Sequence, residues 1–204
     1  MLVSTSRLDP DKGHAELLQA AATLAGEGLP FRLVVLGTGA SAGELQGQAR
    51  LLGLEGRISW TGFRTDVAEF LRRSDVFVLP SFCEPLGIAL QEAMAHGLVP
   101  VARRAGGVPE IWPAGMEDLL CEPHDGARGL HAVLRRVLLA SDAELQEWKL
   151  RAWTHAKQAF DLYRQSRRLT AWMEAWEGPG PECVAANQAR EAPDSSSTRT
   201  TTLR

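Results

Sequence analysis

Two carboxylates placed eight residues apart give the clearest chemical signal in the sequence. Glu84 lies in a turn after an apolar segment, and Glu92 lies about one and a half turns inside the helix predicted to follow. Side chains on a helix lean towards its N-terminus, so Glu92 can reach back to the pocket that Glu84 lines. The start of that helix is predicted to offer free N–H groups that suit an anion. These groups belong to Leu86, Gly87 and Ile88.

Two cations, Arg7 and Lys12, follow the first predicted strand. At that position they could bind a phosphate group through charge-assisted hydrogen bonds. Considered alone they are surface charges, and only their place after the strand favours phosphate binding. The turn Gly37-Thr38-Gly39 after the second strand is a weaker indication. A dinucleotide-binding fold has such a turn as well, although the acidic residue expected about 20 positions further on is not evident.

For the other polar candidates, a purely structural role is an alternative to a functional one. Glu110 is equally compatible with a helix start and with a catalytic group, and Cys83 is predicted to be a small buried hydrophobe. Glu92 is predicted to be buried, because Ala89, Ala93 and Met94 surround it in the chain. Structural, surface or domain-contact roles are predicted for the histidines and late tryptophans: His14, His96, His124, Trp148, Trp153, Trp172 and Trp176.

The composition is that of an ordinary soluble globular protein. The 204 residues are 45% hydrophobic and 23% charged, and the net charge of -3 argues against a general nucleic-acid binder. The odd, widely spaced cysteines Cys83, Cys121 and Cys183 show no metal-ligand spacing and favour a reducing cytoplasm. No apolar run reaches the roughly 20 residues of a membrane helix. Met1 is predicted to open directly into a core strand, which suggests that upstream sequence is missing.

Short apolar runs alternate with segments of helical period along the chain. Strands are predicted at 2–6, 31–36, 58–61, 76–79, 99–102 and 118–121. Helices are predicted around 17–24, 44–52, 66–73, 87–96, 125–139, 142–160 and 162–176, with Asp66 as an N-cap and Gly97 as a C-cap. Because the strands are almost continuously apolar, the sheet is predicted to be buried on both faces. The fold class is therefore α/β, with a doubly wound parallel sheet that binds ligands at the carboxyl ends of its strands.

Two segments of different character divide the chain. Residues 1–177 carry the predicted strands and helices and are predicted to form one domain. Residues 178–204 open with Gly-Pro-Gly-Pro, continue with Ser and Thr, and have almost nothing to bury. They are therefore predicted to form a disordered tail.

Several motifs, taken together, resemble the retaining GT-B glycosyltransferases, family 4 in particular. The run from Ser81 to Gly97 is similar to the family's EX7E motif, and Gly106-Gly107-Val108-Pro109-Glu110 resembles its GGxPE element. The lead-in 75–81 and the opening segment 6–13 also resemble the family, in its order and spacing. The resemblance covers residues 2–139 and implies that residues 1–177 form a Rossmann-like, nucleotide-sugar-binding glycosyltransferase domain, the C-terminal half of a GT-B architecture.

The resemblance implies roles for individual residues. Arg7 and Lys12 match the pair that grips the donor diphosphate during catalysis, and Glu84 matches the carboxylate beside the donor sugar. Glu92 matches the carboxylate that binds the ribose hydroxyls. The remaining donor-binding positions are loop amides, a Gly-x-Gly turn and a nucleobase loop: Leu86, Gly87, Ile88, Gly37, Gly39, Phe63 and Arg64.

The sequence also departs from the family's pattern. Ser6 stands where the family has its first glycine, and Ala40 stands where a proline is frequent. The stretch 112–118 replaces a glycine-rich segment. In the family, an N-terminal domain supplies the acceptor site and, in many members, a catalytic histidine. That domain has no counterpart in this sequence. An N-terminal acceptor domain or a partner chain is therefore expected to supply the acceptor site.

The resemblance implies transfer of a sugar, with retention, from a nucleotide diphosphate sugar (UDP- or GDP-sugar) to an unknown glycan, lipid or small-molecule acceptor. No metal cofactor is required, because no DxD-type motif is evident and two cations are available. A non-catalytic nucleotide-sugar-binding module, or a partner subunit that completes a split enzyme, remains open. A dinucleotide-binding oxidoreductase domain is the third alternative. The expected location is the cytoplasm, with peripheral membrane association left open.

Overall fold

The computed structural model describes residues 1–175 of the chain. The chain divides into two compact units, Met1–Asp161 and Leu162–Arg204. In the second unit the described residues form one helix, Leu162–Glu174. The tail predicted at 178–204 lies outside the described residues. None of the helices in residues 1–175 combines the length and apolar composition that crossing a bilayer requires.

The first unit is built on a parallel sheet, and within the described residues this sheet has six strands. The strands are β1 (Leu2–Thr5), β2 (Leu33–Leu36), β3 (Ile58–Gly62), β4 (Val76–Leu79), β5 (Val99–Arg103) and β6 (Leu120–Cys121). Their order is β3-β2-β1-β4-β5-β6, and each neighbouring pair is parallel. This is the doubly wound arrangement that the alternation of strands and helices predicted.

The helices cover both faces of the sheet. They are α1 (His14–Gly26), α2 (Ala42–Leu51), α3 (Val67–Arg72), α4 (Ile88–Ala95), α5 (Gly126–Leu139) and α6 (Asp142–Ala159); α7 is the helix of the second unit. Helix α1 packs against α2 and α5, whereas α4 packs against α6. Every residue of β4 and β5 is buried, as expected for strands covered on both faces.

The strand order reverses between β1 and β4, and this reversal fixes where the site lies. From β1 the chain builds outward through β2 and β3, and it then returns to place β4 on the other side of β1. The helices that follow β1 and β4 therefore diverge from the carboxyl edge of the sheet, since α1 packs with α2 and α5 whereas α4 packs with α6. Such a divergence leaves a crevice, the usual ligand position in an open α/β sheet.

The predicted element boundaries hold to within a few residues, and the differences have local causes. Asp66 stands at the N-cap position of α3, but its carboxylate accepts hydrogen bonds from the Arg64 guanidinium instead of capping the helix. Gly97 ends α4 as predicted, because its left-handed φ of 77° lets Leu98 N–H donate to the Ala93 carbonyl at 3.1 Å. Four short 3-10 helices were not predicted: Pro10–Lys12, Val108–Ile111, Glu117–Leu119 and Pro123–Asp125.

Candidate functional site

A lysine and a glutamate meet across the crevice between β1 and β4. Lys12 ends the 3-10 helix that follows β1, and its Nζ lies 3.3 Å from Glu84 Oε2 in the loop after β4. The same Nζ donates to the Cys83 carbonyl at 3.2 Å. The two side chains are only 12% and 17% exposed, so the pair is largely shielded from water. The structure thus brings together two of the predicted site residues, 72 positions apart in the chain.

The two loops fit against each other at a glycine. Gly13 has a left-handed φ of 68°, and a Cβ at this position would lie 2.0 Å from the Pro80 carbonyl oxygen. Phe82 N–H also donates to the Asp11 carbonyl at 2.9 Å. Only a residue without a side chain permits this approach. Gly13 therefore sets the distance at which Lys12 and Glu84 face each other.

Glu84 also organises the start of α4. Its Oε1 accepts a hydrogen bond from Gly87 N–H at 3.2 Å, and Gly87 takes a left-handed φ of 62°. The prediction that all three N–H groups here are free is therefore wrong for Gly87, because the nearby carboxylate satisfies it. The N–H groups of Leu86 and Ile88 donate to no acceptor within the described chain. These two remain available to an anion.

The two glycines after β5, Gly106 and Gly107, pack closely against the loop that carries Glu84. A Cβ on Gly106 would lie 2.4 Å from the Glu84 carbonyl oxygen, and one on Gly107 would lie 2.3 Å from the Pro85 carbonyl oxygen. Gly107 N–H donates to the Glu84 carbonyl at 2.9 Å. Glu110 lies in the short 3-10 helix that follows and is exposed. The contribution of this motif visible in the structure is thus backbone packing against the loop that carries Glu84.

A second cluster of predicted residues lines a cleft beside β1, β2 and β3. The cleft has a volume of about 250 Å³. Arg7 is 73% exposed at its wall, with Nη1 3.0 Å from Asp9 Oδ2. Phe63 is 75% exposed. The full lining is Thr5, Ser6, Arg7, Leu36, Gly37, Thr38, Phe63, Arg64 and Val67. An exposed aromatic ring and two guanidinium groups around one cleft can bind a planar base and an anion.

The Gly-x-Gly turn after β2 locks the loop that carries Arg7. A Cβ on Gly37 would lie 1.9 Å from the Ser6 carbonyl oxygen, and one on Gly39 would lie 2.5 Å from the Leu8 carbonyl oxygen. Leu8 N–H donates to the Thr38 carbonyl at 2.9 Å. The glycines therefore act through close packing of backbone on backbone.

Two expectations about exposure are wrong. Glu92 is exposed and not buried, and its carboxylate forms no hydrogen bond or ion pair with the described residues. Its helix neighbours Ile88 and Ala95 are exposed as well, because residues three or four apart share a helix face whereas adjacent residues do not. Cys83 is exposed instead of buried, since it lies in the loop that leads to Glu84. The Glu92 carboxylate is thus free to accept hydrogen bonds from a ligand.

Three buried polar atoms have no hydrogen-bond partner in residues 1–175: His14 Nδ1, Ser81 Oγ and Arg103 Nη2. They belong to segments at the carboxyl ends of β1, β4 and β5, the edge of the sheet that carries the site. Such atoms are few in native proteins, so each of them calls for an explanation. No role for the Arg103 or Ser81 side chain was predicted from the sequence.

His14 is expected to make stability depend on pH below neutrality. Burial first, and then the charge of Lys12, lower its pKa from 6.5 to about 4. The unfolded chain therefore takes up a proton between these values that the folded chain excludes. Above pH 6.5 the imidazole is neutral in the folded and the unfolded chain, and the free energy of unfolding does not depend on it. As the pH falls from 6.5 towards 4, the free energy of unfolding decreases by about 3 kcal/mol in all.

Urea unfolding at pH 7.5, 5.5 and 4.5 would measure this loss. His14→Gln should flatten the dependence relative to the parent chain. His124→Gln is the matched control, since that imidazole is 81% exposed and should leave the slope unchanged. Equal slopes for the parent chain and His14→Gln would contradict the assignment.

Fold and site together define an α/β domain with a ligand crevice at the reversal of strand order. Residues 1–152 match the family model for glycosyl transferases group 1, and the chain belongs to that family.

Named relatives agree with this assignment. The chain is 31% identical over 189 residues to D-inositol 3-phosphate glycosyltransferase 1 of Catenulispora acidiphila, covering 87% of this chain and 45% of that protein. It is 32% identical over 125 residues to N-acetyl-alpha-D-glucosaminyl L-malate synthase of Bacillus anthracis, covering 61% and 32%. The crystal structure of Anabaena HepE in complex with UDP superposes with a TM-score of 0.76 at 26% identity, covering 86% and 49%. The chain thus spans less than half the length of each.

Proposed function

We propose that this chain is the donor-binding, C-terminal half of a retaining, family 4 type GT-B glycosyltransferase. It binds a nucleotide diphosphate sugar and transfers the sugar to an acceptor. The observation that carries the proposal is the Lys12–Glu84 pair, held 3.3 Å apart in the crevice between β1 and β4. A cation for the diphosphate and a carboxylate for the sugar must lie near each other, because the bond that breaks joins the diphosphate to the sugar. HepE was crystallised with UDP and with UDP-glucose, which supports a donor of this class.

The proposed chemistry separates charge along that bond. As the bond between the anomeric carbon and the diphosphate oxygen breaks, negative charge grows on the diphosphate and positive charge grows on the sugar ring. Lys12, Arg7 and the free N–H groups at the start of α4 stabilise the first. The Glu84 carboxylate stabilises the second or accepts hydrogen bonds from sugar hydroxyls. The acceptor oxygen bonds to the same face of the anomeric carbon, and its proton passes to the departing diphosphate.

The cleft beside β1, β2 and β3 provides for the nucleoside in this proposal. Phe63 and Arg64 contact the base, and Glu92 accepts hydrogen bonds from the ribose hydroxyls. The two protein cations neutralise the diphosphate, so we propose that no metal ion is required. UDP and GDP remain the two candidate diphosphates, since a stacked ring and a guanidinium group suit either base.

Calorimetric titration with UDP, GDP and ADP tests the donor site, and Glu92→Ala is the informative variant. Because Glu92 is exposed and unpaired in the described chain, its loss should leave folding intact. It should weaken binding of the preferred diphosphate by about 1.5–3 kcal/mol, the range for hydrogen bonds to a charged group. Arg7→Ala should weaken binding as well.

The matched control is Glu55→Ala, which removes an exposed glutamate at the amino end of β3, away from the crevice. Its affinity should equal that of the parent chain. Unchanged affinity in Glu92→Ala would count against the ribose role. Absence of binding for all three diphosphates at millimolar concentration would show that this chain alone is not a working donor site.

A second candidate is a non-catalytic module that binds a nucleotide sugar or completes a partner chain. It needs only the cleft beside β1, β2 and β3, where the exposed Phe63 ring and the exposed Arg7 guanidinium could hold a nucleotide without any chemical step. A single-turnover assay with the purified chain, UDP-glucose and simple sugar acceptors separates the two. Transfer or donor hydrolysis supports the enzyme, and binding without turnover supports the module.

A further inference from the structure

Arg103, the last residue of β5, is a fully buried charge. It has 0% exposure, and within residues 1–175 it forms no ion pair with a carboxylate. The residue paired with it on β6 is Cys121, whose thiol stays neutral because burial raises its pKa to about 11. A buried cation without a counter-charge is costly, so its contacts should show what it does.

These contacts converge on the segment after β4. Arg103 Nε donates to the Pro80 carbonyl at 2.7 Å, and its guanidinium carbon lies 4.2 Å from the centroid of the Phe82 ring. Nη1 donates to the Pro123 carbonyl at 3.0 Å. Pro80 and Phe82 flank Ser81 at the start of the loop that leads to Glu84. The Arg103 guanidinium thus contacts the residues on both sides of Ser81 and connects this segment to the loop that contains Pro123.

The same guanidinium leaves donors unused, since Nη2 is buried without a partner in the described chain. A methionine would fill similar space without a buried charge, so packing alone does not explain an arginine here. An arginine adds a fixed geometry, because its planar guanidinium can donate to two carbonyls while its face stacks on an aromatic ring. Lysine offers a point charge and cannot make all three contacts together.

We propose that Arg103 is a positioning residue for the donor site: it fixes the segment 80–84 so that the Glu84 carboxylate meets both Lys12 and Gly87 N–H. It touches no reacting group itself. Its importance for donor binding rests on the function proposed above, whereas its effect on the order of the loop does not.

Hydrogen exchange of the full chain, followed by mass spectrometry, tests the loop directly. In Arg103→Met, the amides of Phe82, Gly87 and Gly107 should exchange at least tenfold faster, because their hydrogen bonds depend on the position of this segment. Peptides from β2 and α2 should exchange as in the parent chain. Arg103→Lys should give an intermediate rate. The matched control is Arg104→Met, the neighbouring arginine, which is 38% exposed and paired with Glu122.

Nucleotide binding supplies the second readout. The diphosphate that binds the parent chain should bind Arg103→Met at least tenfold more weakly, with Arg104→Met unchanged. Faster loop exchange in Arg103→Met, combined with no diphosphate binding by the parent chain, would leave the role of Arg103 intact and overturn the proposed function. Loop exchange at the parent rate in Arg103→Met would overturn the role of Arg103. If that variant does not fold, Phe82→Leu removes the ring contact alone and should still raise exchange at Gly87; an unchanged rate there would also overturn it.

Discussion

Replacing Lys12 by methionine is expected to lower the affinity for the nucleoside diphosphate by roughly 10- to 100-fold. The Lys12 Nζ is largely shielded from water and faces the crevice, so its charge acts on a bound diphosphate with little screening. Hydrogen bonds to charged groups contribute about 1.5–3 kcal/mol, and each 1.4 kcal/mol is about a tenfold change in affinity. Calorimetry with the diphosphate that binds the parent chain measures the loss.

Lys149→Met provides the matched control for this substitution. Lys149 Nζ lies 2.8 Å from Asp75 Oδ1, and the two side chains are 23% and 50% exposed, so this lysine also forms an ion pair, although one more accessible to water. Asp75 immediately precedes β4, at the opposite end of the strand from Glu84. Lys149→Met should therefore cost some stability without changing the affinity. Equal losses of affinity in the two variants would show that the Lys12 effect is not local to the crevice.

Replacing Gly13 by alanine is expected to lower the free energy of unfolding by about 3 kcal/mol or more. A left-handed φ of 68° is strained for any residue with a side chain, and here the new Cβ would also lie 2.0 Å from the Pro80 carbonyl oxygen. The backbone of one loop must move, which also separates Lys12 from Glu84. Urea unfolding monitored by circular dichroism measures the change.

Gly53→Ala separates the two contributions. Gly53 has a φ of 70°, almost the same as that of Gly13, but its Cβ would meet nothing within 4 Å. Its substitution should therefore cost only the strain of the left-handed conformation, about 1–2 kcal/mol. The excess in Gly13→Ala reports the contact between the two loops. Equal costs at the two glycines would contradict the close approach that the structure shows.

Much of the fold could be predicted from the sequence because its main determinant is local. Continuous apolar runs of four or five residues, separated by segments of helical period, leave few arrangements other than a parallel sheet covered on both faces. Parallel strands end at one edge, so the loops bearing Arg7, Lys12, Glu84 and Gly106 were expected there. The roles given to these residues stay predictions until binding is measured.

The details that sequence analysis missed depend on contacts between distant segments. Nothing near Arg103 in the chain shows that carbonyls 20 and 23 positions away accept its hydrogen bonds. The bond from Gly87 N–H to Glu84 requires a turn whose backbone angles the sequence does not state. One missed feature did have a local signal: Ser141 and Glu144 form the capping box of α6, and the Ser-x-x-Glu spacing is its usual signature.

The pairing of β1 with β4 has a consequence for how the chain folds. The loops that carry Lys12 and Glu84 are brought together only when these strands pair. Lys12 and Glu84 are 72 residues apart in the sequence. Closing so long a loop costs chain entropy before the contacts between the strands provide any stabilisation. Such pairings are therefore slow steps in folding. The crevice should therefore form late in refolding, after the helices. A ligand held there would stabilise the junction between the two halves of the sheet, the part of the chain that assembles last.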